Sequence, residues 1–211
     1  MIQISAFPFN PFQENTYVLY DETKECIIID PGCYTPIEQA ELSTFIENEG
    51  LKPVRMIFTH CHIDHVLGSK YISERYKLLP ETNKIELLVL EQAERSATMF
   101  GIRLEKPPVP EKFIDEKDVI KFGNSLLTIL FTPGHSPGSL CFYNSEQKFV
   151  IGGDVLFHGS IGRTDLPGGN FDTLISSIKD KLFPLGDDVT VYPGHGPETT
   201  IGFEKANNPF L

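Results

Sequence analysis

Thr59-His60-Cys61-His62-Ile63-Asp64-His65 packs three of the chain's six histidines, with an aspartate among them, into seven positions. The apolar run Pro53–Phe58 before it reads as a short strand. The segment Leu67–Tyr76 after it reads as a helix. The cluster therefore falls on a strand-to-helix loop, where a rigid scaffold presents functional groups. In extended backbone, residues i and i+2 point to one side, which brings His60 and His62 together. As the chain turns into the helix, Asp64 and His65 face a second point beside the first. Imidazole and carboxylate are good ligands for zinc and similar divalent ions. Gathering them in a folded interior without an ion would be costly. Cys61, between two ligands, is expected to point away as a packed thiol.

Outward from this loop, the N-terminal side predicts strands at 2–9, Thr16–Tyr20 and Cys26–Asp30, with a hairpin turn at Asp21–Lys24. A helix is predicted at 36–49, its apolar face made by Ile37, Ala40, Leu42, Phe45 and Ile46, and closed by Gly50. Residues 80–117 carry weak signals: Ile85–Leu90 fits a buried strand or the start of a helix, and Glu91–Phe100 fits a helix. The stiff Lys106-Pro107-Pro108-Val109-Pro110 looks like a linker, but the same strand pattern continues beyond it. Strands are expected at 118–122, 125–131, 139–144, 148–152 and Val189–Tyr192. Helices are expected at 171–182 and about 199–207. Each half thus has strands first and a helix after. Two mixed sheets packed face to face, with helices on both outer faces, satisfy this order. The expectation is one domain over 1–211.

Composition limits the function classes. An apolar fraction of 40% and a charged fraction of 22% are those of a globular chain. The net charge of −11, with no cluster of Lys and Arg, argues against nucleic acid and against an anionic membrane. No apolar run is long enough to span a bilayer and no leader pattern is visible. Cys26, Cys33, Cys61 and Cys141 have no CxxC spacing and are read as reduced thiols. These features point to a cytoplasmic protein. They say nothing of its oligomeric state.

Three further segments share one design. Thr132-Pro133-Gly134-His135, Ile151-Gly152-Gly153-Asp154 and Pro193-Gly194-His195-Gly196 each follow an apolar strand and place a His or Asp among glycines. Singly, each is an ordinary turn. Together they raise the ligand count to what two metals need. The set His60-Cys61-His62-Ile63-Asp64-His65, His135, Asp154 and His195 resembles the metal signature of the metallo-β-lactamase superfamily. The resemblance implies an αββα sandwich with two divalent ions at one end, zinc first and iron or manganese as alternatives. It implies that His60, His62 and His135 hold one ion, that Asp64, His65 and His195 hold the other, and that Asp154 bridges.

Within that superfamily the chain is most similar to the hydroxyacylglutathione hydrolase (glyoxalase II-like) group. Thr132–Ser139, Gly153–Phe157 and Gly194–Gly202 carry the likeness. This implies a binuclear hydrolase of a small-molecule thioester. Two metals lower the pKa of a water between them, and the hydroxide attacks the carbonyl. Asp64 is the residue expected to orient it, as well as being a ligand. Those enzymes carry a C-terminal helical domain that helps bind glutathione, which this sequence, ending at Leu211, is expected to lack. Where they place Lys and Tyr against the glutathione peptide, it has Gly162-Arg163-Thr164-Asp165-Leu166-Pro167. Both differences concern the thiol carrier. Arg163 is a candidate clamp for a substrate carboxylate, with a salt bridge to Asp165 as the other reading. His158 is a second candidate for reaching substrate, or else an exposed loop residue. Tyr143 is expected in the core. An alternative reaction is that of the superfamily's persulfide dioxygenases, which use one iron on two histidines and an aspartate, here His60, His135 and Asp154. A metal-binding scaffold that only docks partners is a third reading.

Overall fold

The computed structural model describes residues 1–211. Six strands form a first sheet in sequence order: β1 (Gln3–Phe9), β2 (Glu14–Tyr20), β3 (Glu25–Ile29), β4 (Lys52–Ile57), β5 (Pro80–Thr82) and β6 (Lys112–Phe113). The first three are antiparallel and the rest parallel. The second sheet is built from β7 (Val119–Phe122), β8 (Ser125–Phe131), β9 (Leu140–Asn144), β10 (Phe149–Gly153), β13 (Thr190–Pro193) and β14 (Thr199–Thr200). A separate ribbon pairs β11 (Leu156–Phe157) with β12 (Ser160–Ile161). The second sheet runs in the order β14-β13-β10-β9-β8-β7. The helices are α1 (Pro36–Asn48), α2 (Ile63–Val66), α3 (Ser69–Tyr76), α4 (Leu87–Leu90), α5 (Ala93–Met99), α6 (Phe171–Ser177) and α7 (Ile201–Asn207).

Side-chain alternation explains the layers. Tyr17 and Leu19 of β2, with Ile27 and Ile29 of β3, face Leu127, Ile129, Phe142 and Ile151 across the space between the sheets. Their neighbours Val18, Cys26 and Ile28 turn the other way, onto Leu42 and Ile46 of α1 and Ile72 of α3. On the far side Val150 and Val191 meet Leu174, Ile178 and Leu182. Because helices cover both outer faces, a strand such as β3 is buried on both sides and reads as an unbroken apolar run. The architecture is the expected αββα sandwich.

Local chemistry sets the ends of the elements. Thr35 and Glu38 form a capping box on α1, with Pro36 in its first turn, and Glu49 caps the other end before Gly50 at φ 64°. Asn170 caps α6, whose chain continues past Ser177 as a wider π-type turn to Leu182. The helix expected over Leu67–Tyr76 is α3, which starts at Ser69 after Gly68, and an unforeseen short helix, α2, precedes it directly after His62. Ile85–Leu90 is helical, a 3-10 turn over Lys84–Glu86 leading into α4. The last helix begins only at Ile201, because Thr199 and Thr200 pair with β13 first. No helix is long and apolar enough to cross a membrane. All four cysteines are free and buried.

The central cluster draws Tyr17, Leu19, Ile27, Ile29 and Ile57 from before the proline-rich segment, and Ile120, Leu127, Ile129, Phe142 and Ile151 from after it. Proteolytic cleavage within Lys106–Pro110 is therefore expected to leave the two pieces associated, as read by co-elution under native conditions. Either piece folding alone would contradict a single domain.

Candidate metal centre

Five chain segments leave the same end of the sandwich: the end of β3 at Asp30, the loop after β4, and the turns after β8, β10 and β13. They bring together every residue of the expected ligand set. His60 Nε2 lies 3.2 Å from His135 Nε2, and His62 Nδ1 lies 2.8 Å from the same atom. Asp64, His65 and His195 form a second group, with Asp64 Oδ2 at 3.1 Å from His195 Nε2 and 3.7 Å from His65 Nε2. Asp154 stands between the two. Its Oδ2 is 3.4 Å from His135 Nε2 and 3.5 Å from His195 Nε2, and its Oδ1 is 3.4 Å from His65 Nε2.

Which nitrogen each ring presents is decided by what its other nitrogen touches. His65 Nδ1–H donates to Asp30 Oδ2 at 3.0 Å. His60 Nδ1 is 3.0 Å from Thr59 Oγ1, whose own hydrogen goes to Asp30 Oδ2 at 2.5 Å, so the ring is the donor there. His135 Nδ1–H donates to the Arg163 carbonyl at 2.7 Å, and His195 Nδ1–H to the Phe12 carbonyl at 3.0 Å. Four imidazoles thus offer a bare Nε2, and His62 offers Nδ1. Acceptors of this kind behind the rings fix the tautomer and orientation of metal ligands.

The electrostatics divide the cluster. Burial, reinforced by the neighbouring imidazoles, pushes His60 well below its usual pKa, takes His62 down to about 3, and also lowers His135. A lowered pKa favours the neutral imidazole, the form that can bind a divalent ion. Burial alone would depress His65 too, but the Asp154, Asp64 and Asp30 carboxylates pull it well above the ordinary value. His195 rises likewise through Asp64 and Asp154. Against the cost of burial, His65 in turn holds Asp64 and Asp154 below the carboxylate range. Two buried atoms at the centre, His65 Nε2 and Asp154 Oδ1, have no hydrogen-bond partner. An orphaned, buried donor set of nitrogen and carboxylate oxygen fits a divalent ion.

Sequence reasoning missed the supporting residues. Asp30 reads as a strand stop, yet from a φ of 51° its carboxylate takes the Thr59 N–H at 2.7 Å and braces the His65 ring directly and the His60 ring through Thr59. Asn15 donates to the Pro193 and Gly196 carbonyls, and Tyr17 O–H to Pro193, which clamps the His195 turn to β2. Gly194 is needed for close approach: a Cβ there would lie 2.1 Å from Asp154 Oδ1. Only the polar, glycine-rich character of these turns could have hinted at such contacts.

The centre floors a cleft of about 970 Å³. One wall comes from the α4–α5 segment, where Leu88, Met99 and Phe100 stay exposed, with Phe12 edge-on to Phe100. Arg163 lies on the rim, its guanidinium bidentate to Asp165 at 2.7 Å, while its main-chain carbonyl meets His135. Arg95, which the sequence did not single out, lines the cleft, and its side chain makes neither ion pair nor hydrogen bond. His158 sits away from the cleft, stacked on Phe203 with ring centroids 4.8 Å apart. Cys61 packs in the helix-side core, its thiol pushed well up by burial, and Tyr143 packs against the outer core of the second sheet.

The profile of the metallo-beta-lactamase superfamily matches residues 9–195. The chain is 38% identical over 212 residues to hydroxyacylglutathione hydrolase GloC of Haemophilus influenzae, covering 100% of this chain and 98% of that protein. Among solved structures it is similar to the BLEG-1 B3 metallo-beta-lactamase, with 34% identity, a TM-score of 0.91 and 99% of each chain covered. It is also similar to TTHA1623 in a di-iron-bound form, with 37% identity, a TM-score of 0.88, and 98% of this chain and 100% of that one covered. The chain belongs to the metallo-β-lactamase superfamily, on its glyoxalase II-like side. Members of this superfamily bind divalent metals through His and Asp clusters of the kind described above.

Proposed function

We propose that the chain is a binuclear thioester hydrolase of the hydroxyacylglutathione type, working with two divalent ions, zinc in the first instance. One observation carries this reading: both ligand groups are assembled, with the Asp154 carboxylate within reach of each. A site for one iron would need only His60, His135 and Asp154 and gives no reason for Asp64, His65 and His195 to converge. The hydrolase name of the Haemophilus influenzae relative and the di-iron form of TTHA1623 support it.

Two divalent ions held there would supply an ionised water at neutral pH and Lewis acidity for the carbonyl oxygen. The rest is the work of the chain. The apolar wall of Phe12, Ile63, Leu88, Met99 and Phe100 displaces water from the thioester. Asp64 faces the cleft with its side chain 14% exposed and held by His195, which places a carboxylate where an attacking water must be oriented. The departing thiolate is a weak base and needs little proton help.

Substrate anchoring falls to the free cation. Arg95→Ala is expected to raise KM for an anionic thioester about tenfold, as the loss of one charge-assisted hydrogen bond would. Arg163→Ala is expected to change KM less, because Asp165 already occupies that guanidinium. Steady-state kinetics of both variants checks the order. The reading itself is tested by turnover of the metal-replete protein on a hydroxyacylglutathione and on a β-lactam. Faster β-lactam cleavage would overturn it.

A further inference from the structure

Glu86 closes the 3-10 turn that leads into α4, and its side chain is wholly buried. Its Oε2 accepts the Cys61 N–H at 2.7 Å. Its Oε1 accepts the Ser136 hydroxyl at 2.6 Å and the Gly138 N–H at 2.7 Å. Cys61 is the residue between His60 and His62, and Ser136 is the residue after His135. One carboxylate therefore grips the Cys61 backbone between His60 and His62 and, through the Ser136 hydroxyl and the Gly138 N–H, the loop that carries His135. Those two loops are distant in sequence and, apart from the contacts between their histidine rings, are joined near the centre by a backbone hydrogen bond, Leu140 N–H to the Thr59 carbonyl at 2.9 Å.

We propose that Glu86 is a positioning residue: it sets the spacing of His60, His62 and His135, and hence the metal affinity of that group, without being a ligand. Burying a carboxylate is costly, and three well-aimed donors are what offsets it here. The close fit extends to Gly138, where a Cβ would lie 2.9 Å from Glu86 Cγ and 3.0 Å from Oε1. Leu88 and Val89, in the α4 turn that follows Glu86, line the cleft, so the wall that meets substrate hangs from the same residue that holds the ligand loops. A glutamine has nearly the same shape but only one acceptor oxygen. With that oxygen facing Ser136 and Gly138, its NH2 opposes the Cys61 N–H, donor against donor. Glu86→Gln thus breaks the arm to the His60–His62 loop and spares the other.

The proposal rests on the metal-centre reading and is independent of which bond is cleaved. The probe is cobalt(II), added to the metal-free full-length chain and followed by its visible absorption. Glu86→Gln is expected to weaken cobalt binding about 10- to 100-fold, the usual cost of losing an outer partner of the ligands, and to change the band pattern. Glu81→Gln is the structural comparison. Glu81 is also a buried carboxylate, paired with Arg55 and Lys112, and its side chain makes no hydrogen bond to either ligand loop. It is expected to lower the melting temperature while leaving cobalt affinity and spectrum as in the parent. Parent-like cobalt binding in Glu86→Gln, or an equal loss in Glu81→Gln, would overturn the proposal. Should Glu86→Gln fail to fold, Ser136→Ala removes one of the three bonds, and a smaller loss of affinity in the same direction is expected. Parent affinity there would overturn it too. A parent protein that binds cobalt tightly but cleaves no thioester would sink the hydrolase reading and leave this one standing.

Discussion

Asp154→Ala is expected to abolish thioester hydrolysis and to yield protein with little bound metal. Asp154 is the one carboxylate within 3.5 Å of ring nitrogens from both ligand groups. Its removal leaves each group a ligand short and leaves His65 with one carboxylate fewer to balance it. A catalytic metal's contribution is several kcal/mol, so the rate should fall by about 10³-fold or more. Rate measurement with element analysis of the same sample checks both halves. A variant with full metal and partial activity would mean that Asp154 only packs between the histidines.

The second large effect is a contrast between two variants. His135→Ala removes a nitrogen that lies within 3.2 Å of both His60 and His62. It is expected to disable any enzyme that uses the first group. Asp64→Ala strips the second group and removes the carboxylate proposed to orient the attacking water. In a binuclear hydrolase it too should cost several orders of magnitude, again reflecting several kcal/mol. An enzyme working with one iron on His60, His135 and Asp154 would keep that iron in Asp64→Ala. Near-native hydrolysis by Asp64→Ala with one metal bound would mean that the two-metal mechanism is not the one in use.

These residues were legible because ligand chemistry marks itself. Three histidines within His60–His65 after an apolar strand are hard to account for otherwise, and the turns at His135, Asp154 and His195 repeat one design. The long strands were legible as well: covered on both faces, Cys26–Ile29 shows as an unbroken apolar run. What escaped depends on partners far along the chain. β5 and β6 are three and two residues long, too short for any period to show. Asp30 sits where a turn aspartate is ordinary, and only the fold brings Thr59 and His65 to it. Glu86 looks like any helix-starting glutamate, since its three donors are main-chain and hydroxyl groups 25 to 52 positions away. Arg95 reads as a solvated helix arginine until the cleft forms beside it. Helix boundaries shifted where a local partner took precedence, as when Thr199 and Thr200 paired with β13 before α7 could begin.

The most direct test of a binuclear thioester hydrolase is metal content measured together with turnover. Protein purified without chelators is assayed in one preparation for bound metal, for hydrolysis of a hydroxyacylglutathione and for oxygen-dependent consumption of glutathione persulfide. A binuclear thioester hydrolase should hold about two divalent ions per chain, as the two ligand groups require, with rapid thioester hydrolysis and no persulfide oxidation. A single tightly held iron with persulfide consumption and no thioester cleavage would contradict it.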